Sequence, residues 1–163
     1  MESPRLYLVC GLPGAGKTTR AHQIVERVGA VHLAADEWVL GLGMSLVDFE
    51  FRVKLQDCLL AHAGTLLRAG LSVVLEFGSW SAEERERIRR VAADEHAAVE
   101  LHFLKASVDE LVRRVRARGG PFAEALASDV LQRDAAKFQE PLADEIARFD
   151  RYCGPNQDWI PSS

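Results

Sequence analysis

Cysteine is scarce in this sequence, and so is anything that marks a secreted, membrane-spanning or metal-loaded protein. The three cysteines, Cys10, Cys58 and Cys153, are odd in number and far apart. They make neither a disulfide framework nor a metal-ligand spacing. Cys10 closes an apolar run and reads as a small buried hydrophobe rather than a reactive thiol. The five histidines, His22, His32, His62, His96 and His102, also lack ligand spacing; they read as surface or satisfied core residues. No run approaches the ~20 apolar residues of a membrane span. The short apolar stretch at residues 6–10 leads into a glycine-rich loop rather than a cleavage site, so the cytoplasm is the expected compartment. A basic excess is missing too. With 20 Lys and Arg against 24 Asp and Glu, the formal net charge of −4 argues against nucleic acid as the main partner.

What remains is ordinary globular composition at 163 residues, the size of one domain. Strand-like and helix-like segments alternate. Residues 5–10 form a short apolar strand, a glycine-rich turn follows, and residues 17–28 read as a helix. Residues 30–34 are a second strand ending at Asp36. Residues 45–69 show apolar side chains at helical spacing (Phe49, Val53, Leu60, Ala63, Leu67) and end at Gly70. The continuous apolar run 71–75 suits a strand buried on both faces. Ser81-Ala82-Glu83-Glu84 is a capping-box pattern opening a helix to about residue 95. Residues 99–104 form a further strand, and Ser107-Val108-Asp109-Glu110 opens a helix ending at Arg118. Strand followed by capped helix, repeated, predicts right-handed βαβ units and a parallel sheet covered on both faces. Residues 119–127 are the one candidate mobile loop. From residue 154 a loose tail is expected, in which residues 158–160 could add a short edge strand.

The turn after the first strand carries the clearest chemistry. Gly11-x-x-x-x-Gly16-Lys17-Thr18 matches the Walker A pattern without a mismatch. Glycines let backbone N–H groups turn inward around phosphates, and the next helix presents its positive N-terminus. The strand before and helix after supply the context that this pattern needs. The expected nucleotide-binding set is Gly11, Pro13, Gly14, Ala15, Gly16, Lys17, Thr18 and Thr19. Lys17 reaches the β- and γ-phosphates, and the Thr18 hydroxyl ligates Mg²⁺. No guanine-reading Asn-Lys-x-Asp stretch occurs, so ATP is the expected nucleotide.

Ligands of a parallel sheet gather at the carboxyl ends of its strands. Two acids stand there: Asp36, with Glu37 beside it, and Glu76. Phosphoryl transfer to a hydroxyl needs a carboxylate to orient the acceptor and take its proton, and a second often serves Mg²⁺ through water. Asp36 is assigned the first role and Glu76 the Walker-B-like or substrate-positioning role, with either able to serve the metal. The competing reading of Asp36 is a helix cap for residues 37–40. Trp38, Phe77 and Trp80 flank these acids and could wall an acceptor pocket, with Arg85 one turn from the Glu76 strand end. The acids Asp36, Glu37, Asp48 and Glu50 suggest a cationic or polyhydroxylated acceptor, such as an aminoglycoside or sugar.

Arg113, Arg114, Arg116 and Arg118 cluster where one helix ends, a favourable place for arginine whatever the function. Arg114 and Arg118 share a face by their i, i+4 spacing. Arg118 stands at the mouth of Gly119-Gly120-Pro121, where a lid arginine can swing onto the transferred phosphate. Arg133 is a second candidate from the opposite wall.

Taken together, Gly11 to Thr19, Ala35-Asp36-Glu37-Trp38, Val73 to Ser81 with Arg85, Leu111-x-x-Arg114-Val115-x-x-Arg118 and Phe138-Gln139-Glu140-Pro141 resemble the small P-loop kinases of the AAA-33 type. That group is similar to chloramphenicol phosphotransferase, gluconate kinase and the kinase domain of polynucleotide kinase. The resemblance implies a three-layer P-loop NTPase fold: a five-stranded parallel sheet flanked by helices, with a short lid at about residues 114–133 and a tail at about 154–163. It also implies Asp36 as catalytic base, and Arg118 or Arg114 as the lid arginine beside Lys17. Two departures stand out: Glu76 where members often carry Asp, and Gly119 where an asparagine usually follows the arginine. The expected activity is ATP-dependent phosphorylation of a hydroxyl on a small molecule, by a monomer or homodimer. A polynucleotide 5′-hydroxyl kinase and a nucleotide-binding switch with little transfer activity are the alternatives.

Overall fold

Five parallel strands form the middle layer of the computed structural model, which describes residues 3–126 and 128–161. They are β1 (Arg5–Cys10), β2 (Val31–Ala34), β3 (Val73–Gly78), β4 (Ala98–Phe103) and β5 (Arg151–Cys153), in the order β2-β3-β1-β4-β5. β1 sits at the centre, paired with β3 on one side and β4 on the other. Its residues Leu6, Leu8, Val9 and Cys10 are wholly buried, as expected of a strand covered on both faces.

Eight helices accompany the sheet among the described residues: α1 (Lys17–Val28), α2 (Ala35–Gly41), α3 (Phe49–Arg68), α4 (Ala82–Asp94), α5 (Val108–Arg118), α6 (Gly120–Ala125), α7 (Ser128–Lys137) and α8 (Ala143–Ile146). One face of the sheet packs on α3 and α4 through Leu59, Leu60, Ala63, Leu67, Ile88 and Ala92. The other packs on α1 through Ala21 and Ile24, closed by Trp159. The result is the α/β architecture expected, with three layers.

Several element boundaries differ from the sequence reading, each for a local reason. The third strand begins at Val73, because Leu71 lies outside it and is half exposed, and it continues through Glu76 to Gly78. A register shift against β1 lets Val9 pair with Glu76 and Cys10 with Gly78. Glu76 is therefore a strand residue. The long helix starts at Phe49, where the Asp48 carboxylate accepts from the Phe51 N–H at 3.0 Å. Ser81 makes the full capping box with Glu84. Ser107 accepts from the Glu110 N–H, but the Glu110 carboxylate is taken by Arg113 and Arg114 instead of returning to the cap.

The segment read as a mobile loop contains α6, with Pro121 in its first turn, a position where proline fits a helix; Ala127 lies outside the described residues. The final stretch is tied down over its described part. Trp159 is buried, and its indole N–H donates to Glu100 Oε1 at 2.5 Å. Arg27 donates to the Trp159 carbonyl at 2.8 Å. The fifth strand is Arg151–Cys153, and residues 158–160 add none.

Candidate active site

The turn leaving β1 wraps a cleft of about 1030 Å³ at the carboxyl ends of the strands, the upper end of the usual range for ligand sites. Its loop depends on glycine at defined points. A Cβ on Gly11 would stand 2.5 Å from the Leu104 carbonyl oxygen, and Gly14 and Gly16 hold φ of 83° and 101°, backbone that other residues adopt only with strain. Gly16 is also the N-cap of α1 and offers no side chain to its first N–H groups. Those donors remain available to an anion, with the helix dipole behind them.

Lys17 donates from Nζ to the carbonyls of Gly11 and Leu12, both at 3.0 Å. Enclosure of this ammonium pulls its pKa below the usual lysine value, opposed by the carboxylates of Glu76 and Asp36. A cation so placed gains when phosphate arrives. Thr18 Oγ1 donates to Glu76 Oε1 at 2.6 Å, and His32 Nε2 donates to Glu76 Oε2 at 2.8 Å. Burial pushes Glu76 up, yet these two bonds and the Lys17 charge outweigh it and hold the group below the ordinary carboxylate range. Among the described residues no cluster of three metal-ligating side chains forms. Were magnesium to bind here, the Thr18 hydroxyl beside Glu76 could serve it, with phosphate and water supplying the other ligands.

Asp36 opens onto the same cleft from α2. It is not the helix cap; that position is Ala34, and Asp36 lies within the first turn. Arg52 NH2 stands 3.0 Å from Asp36 Oδ1, an ion pair without hydrogen-bond geometry; that oxygen is buried, while the Asp36 side chain as a whole keeps 38% exposure. Arg52 NH1 also donates to the Leu46 carbonyl at 3.1 Å.

On the far side, Arg114 donates from NH1 to the Gly14 carbonyl at 3.1 Å and from Nε to Glu110 at 2.6 Å. The Arg118 guanidinium lies over the Phe122 ring, 3.6 Å from its centroid. Both arginines line the cleft, as do Pro13, Gly14, Gly16, Thr19 and Trp80. Gly11 and Ala15 shape the loop from beneath and do not face it.

Three expected wall residues stand elsewhere. Trp38 projects to solvent, away from the cleft. Arg85 is wholly buried, donating to Glu145 Oε1 at 2.5 Å, Glu145 Oε2 at 2.9 Å and the Ser79 carbonyl at 2.9 Å. Wholly buried and not part of the cleft lining, it fixes the turn that carries Trp80 rather than meeting a substrate. Arg133 is exposed on α7, whose Val130, Asp134 and Lys137 face the cleft at helical spacing instead. Of the acids thought to favour a cation, Asp48 caps α3 and Glu50 pairs with Lys54 at 2.6 Å, while Asp36 and Glu37 line the cleft. The segment Phe138-Gln139-Glu140-Pro141 braces the Trp80 turn, with the Gln139 N–H donating to the Trp80 carbonyl at 2.8 Å.

Arg52 and Lys137 went unread in the sequence, and His32 was read only as a surface or satisfied core residue. Only strand pairing, which sets Ala34 beside Glu76 two residues after His32, brings that histidine to the acid. Arg52 carried one usable signal, its place one turn after Asp48 in a helix starting near Asp36. Arg20, on α1, also lines the cleft. It is held by His102 Nδ1 at 3.1 Å and by the Gln157 carbonyl at 2.9 Å.

A family model described as an AAA domain, AAA_33, matches residues 6–141, and the chain belongs to that family. Uncharacterized proteins of Mycobacterium tuberculosis and Mycobacterium bovis are 34% identical over 137 residues, covering 76% of this chain and 27% of theirs. The chain thus spans about a quarter of the length of the curated relatives it matches. Among solved structures, an APS kinase of Mycobacterium tuberculosis in complex with AMPPNP and APS has a TM-score of 0.71 at 22% identity, covering 97% of this chain and 92% of that one. A gluconokinase from Sinorhizobium meliloti has a TM-score of 0.66 at 22% identity, covering 97% and 86%. The fold is that of the P-loop kinases.

Proposed function

We propose that this AAA_33 family member is an ATP-dependent kinase that transfers the γ-phosphate to a hydroxyl of a small molecule. One observation carries the reading: Asp36, whose side chain keeps 38% exposure beside Arg52, lines the same cleft as Lys17 and Thr18. A nucleotide switch needs the phosphate loop but no exposed carboxylate facing it. In transfer, the acceptor hydroxyl donates its proton to Asp36 while its oxygen forms the new bond to the γ-phosphorus. The bond to the β–γ bridging oxygen breaks, and ADP leaves. Lys17 and the N–H groups at the start of α1 balance phosphate charge. Magnesium, when bound, neutralises charge developing on the phosphates. Glu76 acts through Thr18, holding its hydroxyl oriented, and His32 holds Glu76. Arg114 and Arg118 bring positive charge from the opposite side.

The same reading takes residues 1–163 as one kinase domain, with 114–133 as its lid. It operates in the cytoplasm as a monomer or homodimer. The test is ADP release from ATP·Mg²⁺ in the presence of pooled hydroxyl compounds. Acceptor-dependent ADP release that Lys17→Ala abolishes supports the proposal; tight ATP binding with no acceptor-dependent release in any pool contradicts it.

A further inference from the structure

We propose that the acceptor is an alcohol with an apolar body, held between two hydrophobic walls at the Asp36 end of the cleft. The inference rests on the phosphoryl-transfer reading above and adds the chemical class of its acceptor. One wall is the segment entering α3, with Leu46, Val47, Phe49 and Val53 on the cleft. Val47 is 70% exposed and Phe49 78%. Phe49 and Val53 are one helical turn apart and share a face. The other wall comes from α6 and α7, with Phe122, Leu126 and Val130. Large apolar side chains left open to water, and gathered on one concave surface, gain when an apolar partner displaces that water.

Asp36 is paired by Arg52, Glu50 by Lys54, and Asp48 is used as a cap. Asp134 and Lys137, three residues apart on α7, bring one charge of each sign to the cleft. Glu37 lines the cleft as well, so charge does not choose the acceptor and the apolar walls do. A polyol would bury hydroxyls against walls that offer no partners, a costly exchange. A single hydroxyl on an apolar frame needs one polar contact, and Asp36 supplies it.

The experiment loads the protein with AMPPNP·Mg²⁺ and measures binding of 4-tert-butylbenzyl alcohol and cyclohexylmethanol against glucose, gluconate and choline. The apolar alcohols are expected to bind at least tenfold more tightly than the others. Phe49→Ser should weaken them at least fivefold, Phe49→Leu should restore most of the loss, and AMPPNP affinity should stay within twofold in both variants. Phe49 is exposed, so these substitutions leave the core intact. Equal or tighter binding of glucose, gluconate or choline overturns the inference, as does failure of every alcohol to bind or an unaltered affinity in Phe49→Ser. ADP release in the same samples separates the two claims. Phosphorylated polyols would sink the apolar pocket and leave transfer standing, whereas apolar alcohols that bind without being phosphorylated would do the reverse.

Discussion

Thr18 and Glu76, 58 residues apart in the chain, meet at 2.6 Å, the threonine hydroxyl donating to the glutamate carboxylate. The contact exists because β1 and β3 are neighbours in register, so the acid at the end of one strand faces the loop leaving the other. The longer Glu side chain, noted as a departure from the Asp often found in this group, spans to Thr18 and His32 at once.

Removing that acid should therefore act through Thr18. Glu76→Ala is expected to lower acceptor-dependent ADP release roughly 10- to 100-fold, the usual cost of losing a group that orients a metal ligand. The magnesium dependence of the rate separates this from a fold defect: the variant should need more magnesium, whereas a merely unfolded fraction would lower the maximal rate at unchanged magnesium requirement.

The same carboxylate predicts an acid limit. Burial raises the Glu76 pKa, but His32, Thr18 and Lys17 together bring it below its ordinary value. A group whose folded pKa is depressed stabilises the protein above its unfolded pKa, and that contribution fades as pH falls through the folded one. Urea unfolding from about pH 5 downward should show wild-type stability falling more steeply than that of Glu76→Gln. Parallel slopes would contradict the assignment.

Arg85→Ala should cost stability rather than acceptor binding. It strips the partner from Glu145 and frees the Ser79 carbonyl. Breaking a buried pair from one side costs about 3 kcal/mol, or roughly 6 to 12 °C in Tm for a chain of this size. Calorimetry reads the shift. AMPPNP affinity of the folded variant should stay unchanged.

How far the sequence carried can be judged from such residues. The phosphate loop was legible because its chemistry is local: glycines, Lys17 and Thr18 within eight positions, between an apolar strand and a helix. The position of Asp36 on the cleft was legible from its place after a strand. Arg85 was misread because one turn from a strand end looks like the site, while its partner Glu145 lies 60 residues away on a four-residue helix. Trp38 was misread because adjacency to Asp36 says nothing of direction, and successive helical residues point about 100° apart. The Gly119-Gly120-Pro121 break looked like a loop, yet a proline that ends one helix also starts the next. The contacts of His32 and Arg52 with the acids could not be read from spacing, because strand pairing and helix packing make them.

Thiol chemistry offers an independent check on the core beneath the loop. Burial pushes the Cys10 thiol up to about 12, while Cys58 is exposed. The thiolate is the reactive form. At pH 8 a disulfide reagent should titrate Cys58 promptly in the native protein and reach Cys10 only on unfolding. Rapid modification of Cys10 in the native state would contradict the packing described.

The central claim is that Asp36 takes the acceptor proton while the phosphate loop holds ATP. The most direct measurement pairs AMPPNP affinity with acceptor-dependent ADP release in Asp36→Asn. The account predicts nucleotide affinity within about twofold of wild type and transfer lower by at least ~10²-fold, the lower end of what a positioned base contributes. An Asp36→Asn protein that transfers phosphate at the wild-type rate would place the base elsewhere and contradict it.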